Sequence, residues 1–170
     1  VLLMDGILDS HFISTYEQKY GDCQFARVDS ASIDKLIEKE GDSNESKLND
    51  EQKENIKKAF ENVIDKVTFN VEFSNLGEDD APVEIIQNEF MRRMKDMSMM
   101  SGGMQMWGSM PDSYTLMLNA NNPVVAGLAD KSEEEQKDVI KRMYDLARLS
   151  KNLLKGKDLN EFVKRSFNEI

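Results

Sequence analysis

The chain has 170 residues, 39% of them apolar, and its 22 basic against 32 acidic side chains give a formal net charge of −10. That length suits one soluble domain with an appendage. The acidic balance argues against nucleic acid or anionic lipid as the main partner, because Lys and Arg bind both by neutralising phosphate. The single Cys excludes an internal disulfide framework and favours the reducing cytoplasm. The sequence contains no apolar run of the roughly 18 residues that span a bilayer.

The first 38 residues are expected to form a strand, a helix, a second strand and a short helix. The chain starts at Val1 inside an apolar run, which indicates that it belongs to something longer. Apolar residues at helical spacing predict a helix over 8–20, with Asp9 as its cap. A short strand is predicted over 24–28 and a short helix over 34–38.

A polar stretch over 39–49 predicts a linker, because its single apolar residue buries too little surface to offset the entropy of ordering. A helix is predicted to follow over 50–66. Asn49 and Gln52 stand at capping-box spacing before it. We expect residues 50–170 to form a second domain.

Three strands are predicted in that domain. Residues 68–73 alternate between apolar and polar side chains in period two, and 83–86 are interpreted as the partner strand. Residues 114–118 form the third strand. The pair Asn122-Pro123 then starts a short helix.

Two helices are predicted to end the chain as a hairpin. The spacing of Ser132 and Glu135 opens the longer one, over 133–155, with Gly156 closing it. Asp158 is expected to cap the last helix. The apolar stripe of the hairpin is wider than a small sheet can cover, so either it forms a four-helix bundle with a second copy or both helices dock on their own sheet.

The prediction is therefore an α+β fold with a small three-stranded sheet, helices, and a C-terminal hairpin that forms a four-helix bundle across a homodimer. The candidate dimer contacts are apolar residues of this hairpin. They are Val139, Met143, Leu146, Leu153, Leu154, Phe162 and Val163.

Motifs of nucleotide binding and catalysis are missing from the sequence. It contains no G-x-x-x-x-G-K-[ST], no G-x-G-x-x-G after a strand and no H-E-x-x-H. His11 and Cys23 are the only imidazole and thiol, and an enzyme that uses them as a nucleophilic pair is an alternative. We predict no catalytic, cofactor-binding or metal-binding residue in this chain.

Nine of the eleven methionines fall between positions 91 and 117. Three interpretations compete: methionines that fill the core, a Cu(I) site built from thioethers, and an exposed segment that adapts to the shapes of other proteins. We favour the last, because Phe90, Met94 and Met97 lie on one face of a short predicted helix and glycines interrupt the apolar residues after that helix. The candidate contacts within this Met-rich segment, residues 89–110, are Phe90, Met91, Met94, Met97, Met100, Met104, Met106 and Trp107.

The C-terminal domain of the bacterial HtpG chaperones, the ninety-kilodalton heat-shock protein family, resembles this chain over three segments. They read F-M-R-R-M-K-D-M, G-G-M-Q-M-W-G-S-M-P-D-S-Y-T-L-M-L-N-A-N-N-P-V-V and M-Y-D-L-A-R-L-S-K-N-L-L-K-G-K-D-L-N-E-F-V-K-R-S. The opening L-L-M-D-G-I-L-D-S-H-F-I resembles the last strand and helix of that family's middle domain.

The resemblance implies an ATP-dependent folding chaperone that dimerises through its last two helices. Residues 1–38 would then be the tail of the middle domain, with ATP and Mg²⁺ bound in an N-terminal domain outside this chain. An amphipathic helix of the family contributes to binding unfolded client proteins, and Phe90, Met94 and Met97 match its positions. An oligomerisation module without client contact is the alternative.

Overall fold

The computed structural model describes residues 2–4, 8–25, 45–87, 91 and 113–168. The chain divides into two compact units. One comprises Val1–Glu38 with Gln87–Met110, and the other Lys39–Ile86 with Pro111–Ile170. The domain boundaries expected from the sequence stay a prediction.

In the first unit, helix α1 spans Asp9–Lys19, which confirms the predicted helix. The expected cap at Asp9 is wrong, because the N-cap is Leu8 and no side chain described there caps the helix. Asp9 lies in the first turn instead, where a carboxylate still interacts favourably with the positive end of the helix dipole.

Aromatic rings contact one another along α1. The centroid of the Tyr16 ring lies 5.8 Å from that of Phe12, 4.6 Å from that of Tyr20 and 5.7 Å from that of Phe25. Residues 2–4, where a strand was expected to open the chain, are irregular, and so are the first two residues of the strand predicted over 24–28. The rest of that strand and the short helix predicted after it lie outside the described residues.

In the second unit, helix α2 spans Asp50–Glu61, and its capping box is confirmed. The Gln52 N–H donates to Asn49 Oδ1 at 2.8 Å, and the Asn49 N–H donates to Gln52 Oε1 at 3.0 Å. Both bonds satisfy backbone N–H groups that a helix start otherwise leaves free.

The prediction that α2 continues to residue 66 is wrong. The Asp65 carboxylate accepts hydrogen bonds from the Thr68 hydroxyl at 2.6 Å and from the Val67 N–H at 3.0 Å. These bonds stabilise a turn that competes with the helix, and they lower the pKa of Asp65 below its usual value. Val67, which lies in this turn, is exposed.

Three strands form one mixed sheet: β1 (Phe69–Ser74), β2 (Val83–Gln87) and β3 (Tyr114–Asn119). All three predicted strands are confirmed, and with them the α+β class. The predicted pairing of β1 with β2 is wrong, because β3 lies between them and runs parallel to β1.

The connection between β1 and β2, residues 75–82, explains this order. Asn119, Asn121 and Asn122 donate side-chain N–H groups to backbone carbonyls of the connection, at 2.8, 3.1 and 2.9 Å. These bonds hold the connection at the C-terminal end of β3. The chain therefore passes from one side of β3 to the other before β2 begins.

The core joins side chains of the sheet, α2, the short helix α3 (Pro123–Ala126), the 3-10 turn that follows it, and α4 (Glu133–Ser150). Its largest fully buried apolar side chains are Phe60, Ile56, Leu116, Leu118, Leu128, Ile140, Val71 and Val125. Asn122 caps α3 through its side chain, as predicted.

Helix α4 begins with the predicted capping box at Ser132, and its expected end at residue 155 is wrong. The backbone of Asn152 adopts a φ of 56°, a left-handed conformation that ends helices. The N–H groups of Leu153 and Leu154 then donate to the Arg148 carbonyl at 2.8 and 3.3 Å.

The last helix, α5, spans Gly156–Phe167. Gly156, expected to close α4, is instead the first residue of α5. The predicted cap at Asp158 is also wrong, because the N-cap is Lys155 and no described side chain caps the helix. The Asp158 carboxylate is engaged elsewhere, since it accepts a hydrogen bond from Arg148 at 2.9 Å.

Candidate interface on the C-terminal helices

Helix α4 has two unlike faces. On the inner face Ile140, Met143, Tyr144 and Ala147 are buried in the core of their own chain. On the outer face the side chain of Leu146 is 55% exposed, and Leu149 is exposed as well. The inner face of α4 thus packs against the core of its own chain, whereas the outer face leaves apolar side chains exposed.

Helix α5 is amphipathic, yet none of its twelve residues, all of them described, is buried. Its apolar residues recur at helical spacing. Leu159 and Phe162 are half-buried, whereas Val163 is 40% and Phe167 71% exposed. A helix ordinarily buries such a stripe, so this face is available to a partner.

The seven predicted interface residues differ in exposure. Leu146 and Val163 are exposed. Val139, Leu153 and Phe162 are half-buried, and Met143 and Leu154 are buried. The two buried side chains stabilise their own fold, and their role as dimer contacts stays a prediction. Phe167 was not selected from the sequence, although its spacing of four residues from Val163 was a signal for it.

A network of ion pairs joins α4 to α5. The Asp145 side chain, 9% exposed, accepts a hydrogen bond from Arg165 Nη2 at 2.8 Å and lies 3.6 Å from Arg148 Nη1. Arg148 Nη2 also donates to Asp158 at 2.9 Å. This network was not predicted from the sequence, because only the i, i+3 spacing of Asp145 and Arg148 is visible along the chain.

A cavity of about 560 Å³ opens beside this network, with walls that include Phe69, Tyr114, Tyr144 and Arg148. The rings of Phe69 and Tyr144 meet edge to face, with centroids 5.3 Å apart. Burial raises the pKa of Tyr144 above its usual value, and the Arg148 guanidinium, 5.1 Å from the ring centroid, partly opposes that rise. Asp158, which also lines the cavity, is already paired with Arg148.

The Met-rich segment is represented among the described residues by Met91, which is half-buried. The other predicted contacts lie outside them: Phe90, Met94, Met97, Met100, Met104, Met106 and Trp107. Met117, counted within the methionine cluster, is 3% exposed in β3 and is a core residue. The core-filling interpretation therefore holds for that one methionine.

The residues considered for catalysis or metal binding lie in the first unit. His11 is exposed on α1, and Cys23 is a free, half-buried thiol. Within the described ranges, no three His, Cys, Asp or Glu side chains come together as a metal site. Among the same residues, no helix combines the length and the apolar character needed to cross a bilayer.

Comparison with known proteins reveals clear relatives, although no protein-family model matches the chain. The HtpG chaperone of Bacteroides thetaiotaomicron is 35% identical over 238 residues, and that of Bacteroides fragilis strain 638R is 34% identical over the same length. Both alignments cover all of this chain. The HtpG chaperone of Porphyromonas gingivalis strain ATCC 33277 is 44% identical over 128 residues, which cover 74% of this chain.

The chain spans 35% of the length of the two Bacteroides relatives and 19% of the Porphyromonas one. The matched region is the C-terminal part of these relatives. These identities confirm the resemblance inferred from the three sequence segments. The chain belongs to the HtpG chaperone family, the bacterial members of the ninety-kilodalton heat-shock proteins.

Proposed function

We propose that this chain supplies the self-association surface of an HtpG chaperone, with the outer faces of α4 and α5 packing against those of a second copy. One observation carries the proposal: α5 is an amphipathic helix in which no described residue is buried. The exposed side chains of Leu146 and Leu149 extend that apolar surface onto α4. Two helices from each copy would form the four-helix bundle expected from the sequence.

A stable association of this kind buries about 1,200 to 2,000 Å² in total. Two helices per copy, of 18 and 12 residues, are long enough to supply such an area when their apolar faces meet. An apolar surface in contact with water costs free energy in proportion to its area, and a second copy removes it symmetrically.

Sedimentation velocity of the wild-type chain and of Leu146→Asp tests this surface. The wild type is expected to sediment as a dimer and Leu146→Asp as a folded monomer, because the new carboxylate would have to be desolvated in the bundle. Asn55→Asp on α2 adds the same charge at an exposed position and is the matched control. A dimeric Leu146→Asp would exclude this face of α4, and a monomeric wild type would contradict self-association itself.

The second part of the proposal is that the Met-rich segment contacts unfolded client proteins. Its support is the sequence, since unbranched methionines adapt to apolar partners of different shape, together with the resemblance at Phe90, Met94 and Met97. We expect a photo-crosslinker at position 97 or 107 to capture an unfolded model protein. The same crosslinker at position 4 is the control outside the segment.

A double substitution separates client contact from core filling. Met94→Ser with Met97→Ser should weaken the suppression of client aggregation while the melting temperature stays close to that of the wild type. A fall of several degrees would instead favour methionines that fill the core. A dimer that captures no client would favour the purely structural oligomerisation module.

The remaining parts of the proposal concern ATP and location. The family resemblance implies that ATP and Mg²⁺ would bind in an N-terminal domain of the full-length protein, which agrees with the lack of a phosphate-binding glycine motif in this sequence. The protein would act in the cytoplasm, where its single cysteine stays reduced. The enzyme alternative predicts fast alkylation of Cys23 by iodoacetamide, and a rate no faster than that of a free thiol would contradict it.

A further inference from the structure

Helix α5 is oriented so that part of its apolar stripe faces away from its own chain. Arg165 points toward α4, where it meets the buried carboxylate of Asp145 at 2.8 Å. Val163 and Phe167 stand two residues to either side of Arg165, and at 100° per residue both lie about 160° away from it around the helix. Both are exposed. Arg165 therefore faces its own chain together with the half-buried ring of Phe162, whose centroid lies 5.8 Å from its guanidinium, whereas Val163 and Phe167 face outward.

A second ion pair fixes the start of the same helix. Asp158 accepts a hydrogen bond from Arg148 on α4 at 2.9 Å. Asp158 and Arg165 are seven residues apart, about two helical turns, so their side chains lie on one face of α5. Two ion pairs along one face set both the position and the rotation of α5 relative to α4.

Asp145 stands where the charges of the two helices meet. Its side chain is 9% exposed, and its two oxygens face the guanidinium groups of Arg165 and Arg148. Arg148 is held further by the ring of Tyr144 below it. A carboxylate buried to this extent needs cations beside it, and the loss of one cation leaves its charge poorly compensated. The geometry is thus costly to change.

We propose that Asp145 and Arg165 are positioning residues that hold α5 with Val163 and Phe167 facing outward and so make the self-association surface continuous across α4 and α5. This inference rests on the proposed dimerisation. Without the pair, the rotation of α5 would depend on the more exposed pair of Arg148 with Asp158, and Val163 and Phe167 would turn more readily toward their own chain. The surface offered to a second copy would then be smaller and variable.

The test measures dimer dissociation by sedimentation over a concentration series for the wild-type chain, Arg165→Met and Arg165→Lys. Methionine keeps the apolar stem and removes the charge. We expect Arg165→Met to raise the Kd at least about tenfold. Arg165→Lys keeps the charge without the fork of the guanidinium and should fall between the two. Glu161→Gln breaks only the exposed pair with Lys157 within α5, and its Kd should stay within about twofold of the wild type.

Hydrogen exchange in the Leu146→Asp background separates positioning from direct contact with the partner copy. In that monomer, Arg165→Met should speed exchange of the α5 amides about tenfold while the amides of β3 keep their rates. Unchanged α5 exchange would overturn the inference, whether the Kd stays the same or rises through a direct contact of Arg165 with the partner copy. If the wild type proves monomeric but α5 exchange still rises, the positioning of α5 stands and the proposed dimerisation fails.

Discussion

Helices α4 and α5 follow one another in the chain and are both amphipathic, but they differ in what covers their apolar faces. The inner face of α4 packs on the core, with Ile140 fully buried. None of the residues described in α5 is buried, and two ion pairs join it to α4. An apolar stripe in the sequence therefore indicates that one face of a helix packs against other apolar residues. It does not indicate whether those residues belong to the same chain or to a partner.

The largest expected effect on stability comes from truncating a buried side chain of α4, compared with truncating an exposed one of α5. Ile140→Ala should lower the free energy of unfolding by about 2–5 kcal/mol, because it removes a buried side chain and leaves a cavity. Urea denaturation at a concentration where the chain is monomeric measures it. Val163→Ala on α5 is the matched truncation and should change stability by less than about 0.5 kcal/mol. Equal losses at both positions would show that α5 is part of the core.

A smaller effect is expected from the starts of the two helices. Ser132 accepts the Glu135 N–H and caps α4, so Ser132→Ala should cost about 1 kcal/mol. Lys155 at the start of α5 makes no cap through its side chain, and Lys155→Ala should leave the stability nearly unchanged. Thermal denaturation followed by circular dichroism compares the two. A larger loss for Lys155→Ala would contradict the description of the α5 start.

The smallest expected effect on stability appears only at alkaline pH and comes from Tyr144 on the inner face of α4. Burial raises the pKa of Tyr144, so the folded state favours the neutral phenol. The stability that the folded state gains from the neutral phenol is present below the usual tyrosine pKa of about 10. It is lost as the pH rises through the higher pKa of the folded state. Tyr144→Phe should therefore lose less stability than the wild type between pH 9 and pH 11 on denaturant titration. Parallel curves for the two proteins would contradict it.

Local signals in the sequence located most of the elements. The spacing of Asn49 with Gln52 and of Ser132 with Glu135 predicted two helix starts that the structure confirms. Period-two alternation predicted β1. These signals succeed because a capping box and a strand face involve residues only a few positions apart.

The ends of the helices were predicted less well. Helix α2 stops at Glu61, ahead of the turn that the Asp65 side chain stabilises, and α4 stops just before Asn152 takes a left-handed conformation. Apolar spacing continued past both points, since Val63, Ile64, Leu153 and Leu154 keep the pattern in irregular backbone. Side-chain hydrogen bonds of Asp and Asn compete with helical ones in a way that periodicity does not register.

The sequence by itself determined the α+β class, the three strands of the sheet, the starts of α2, α3 and α4 and, through three segments, the family. The tertiary structure alone decided the strand order and the orientation of α5. Asn119, Asn121 and Asn122 hold a connection that lies about forty residues earlier in the chain, and Arg165 meets Asp145 across two helices. Contacts between such distant positions depend on how the whole domain folds, because no local spacing relates one partner to the other.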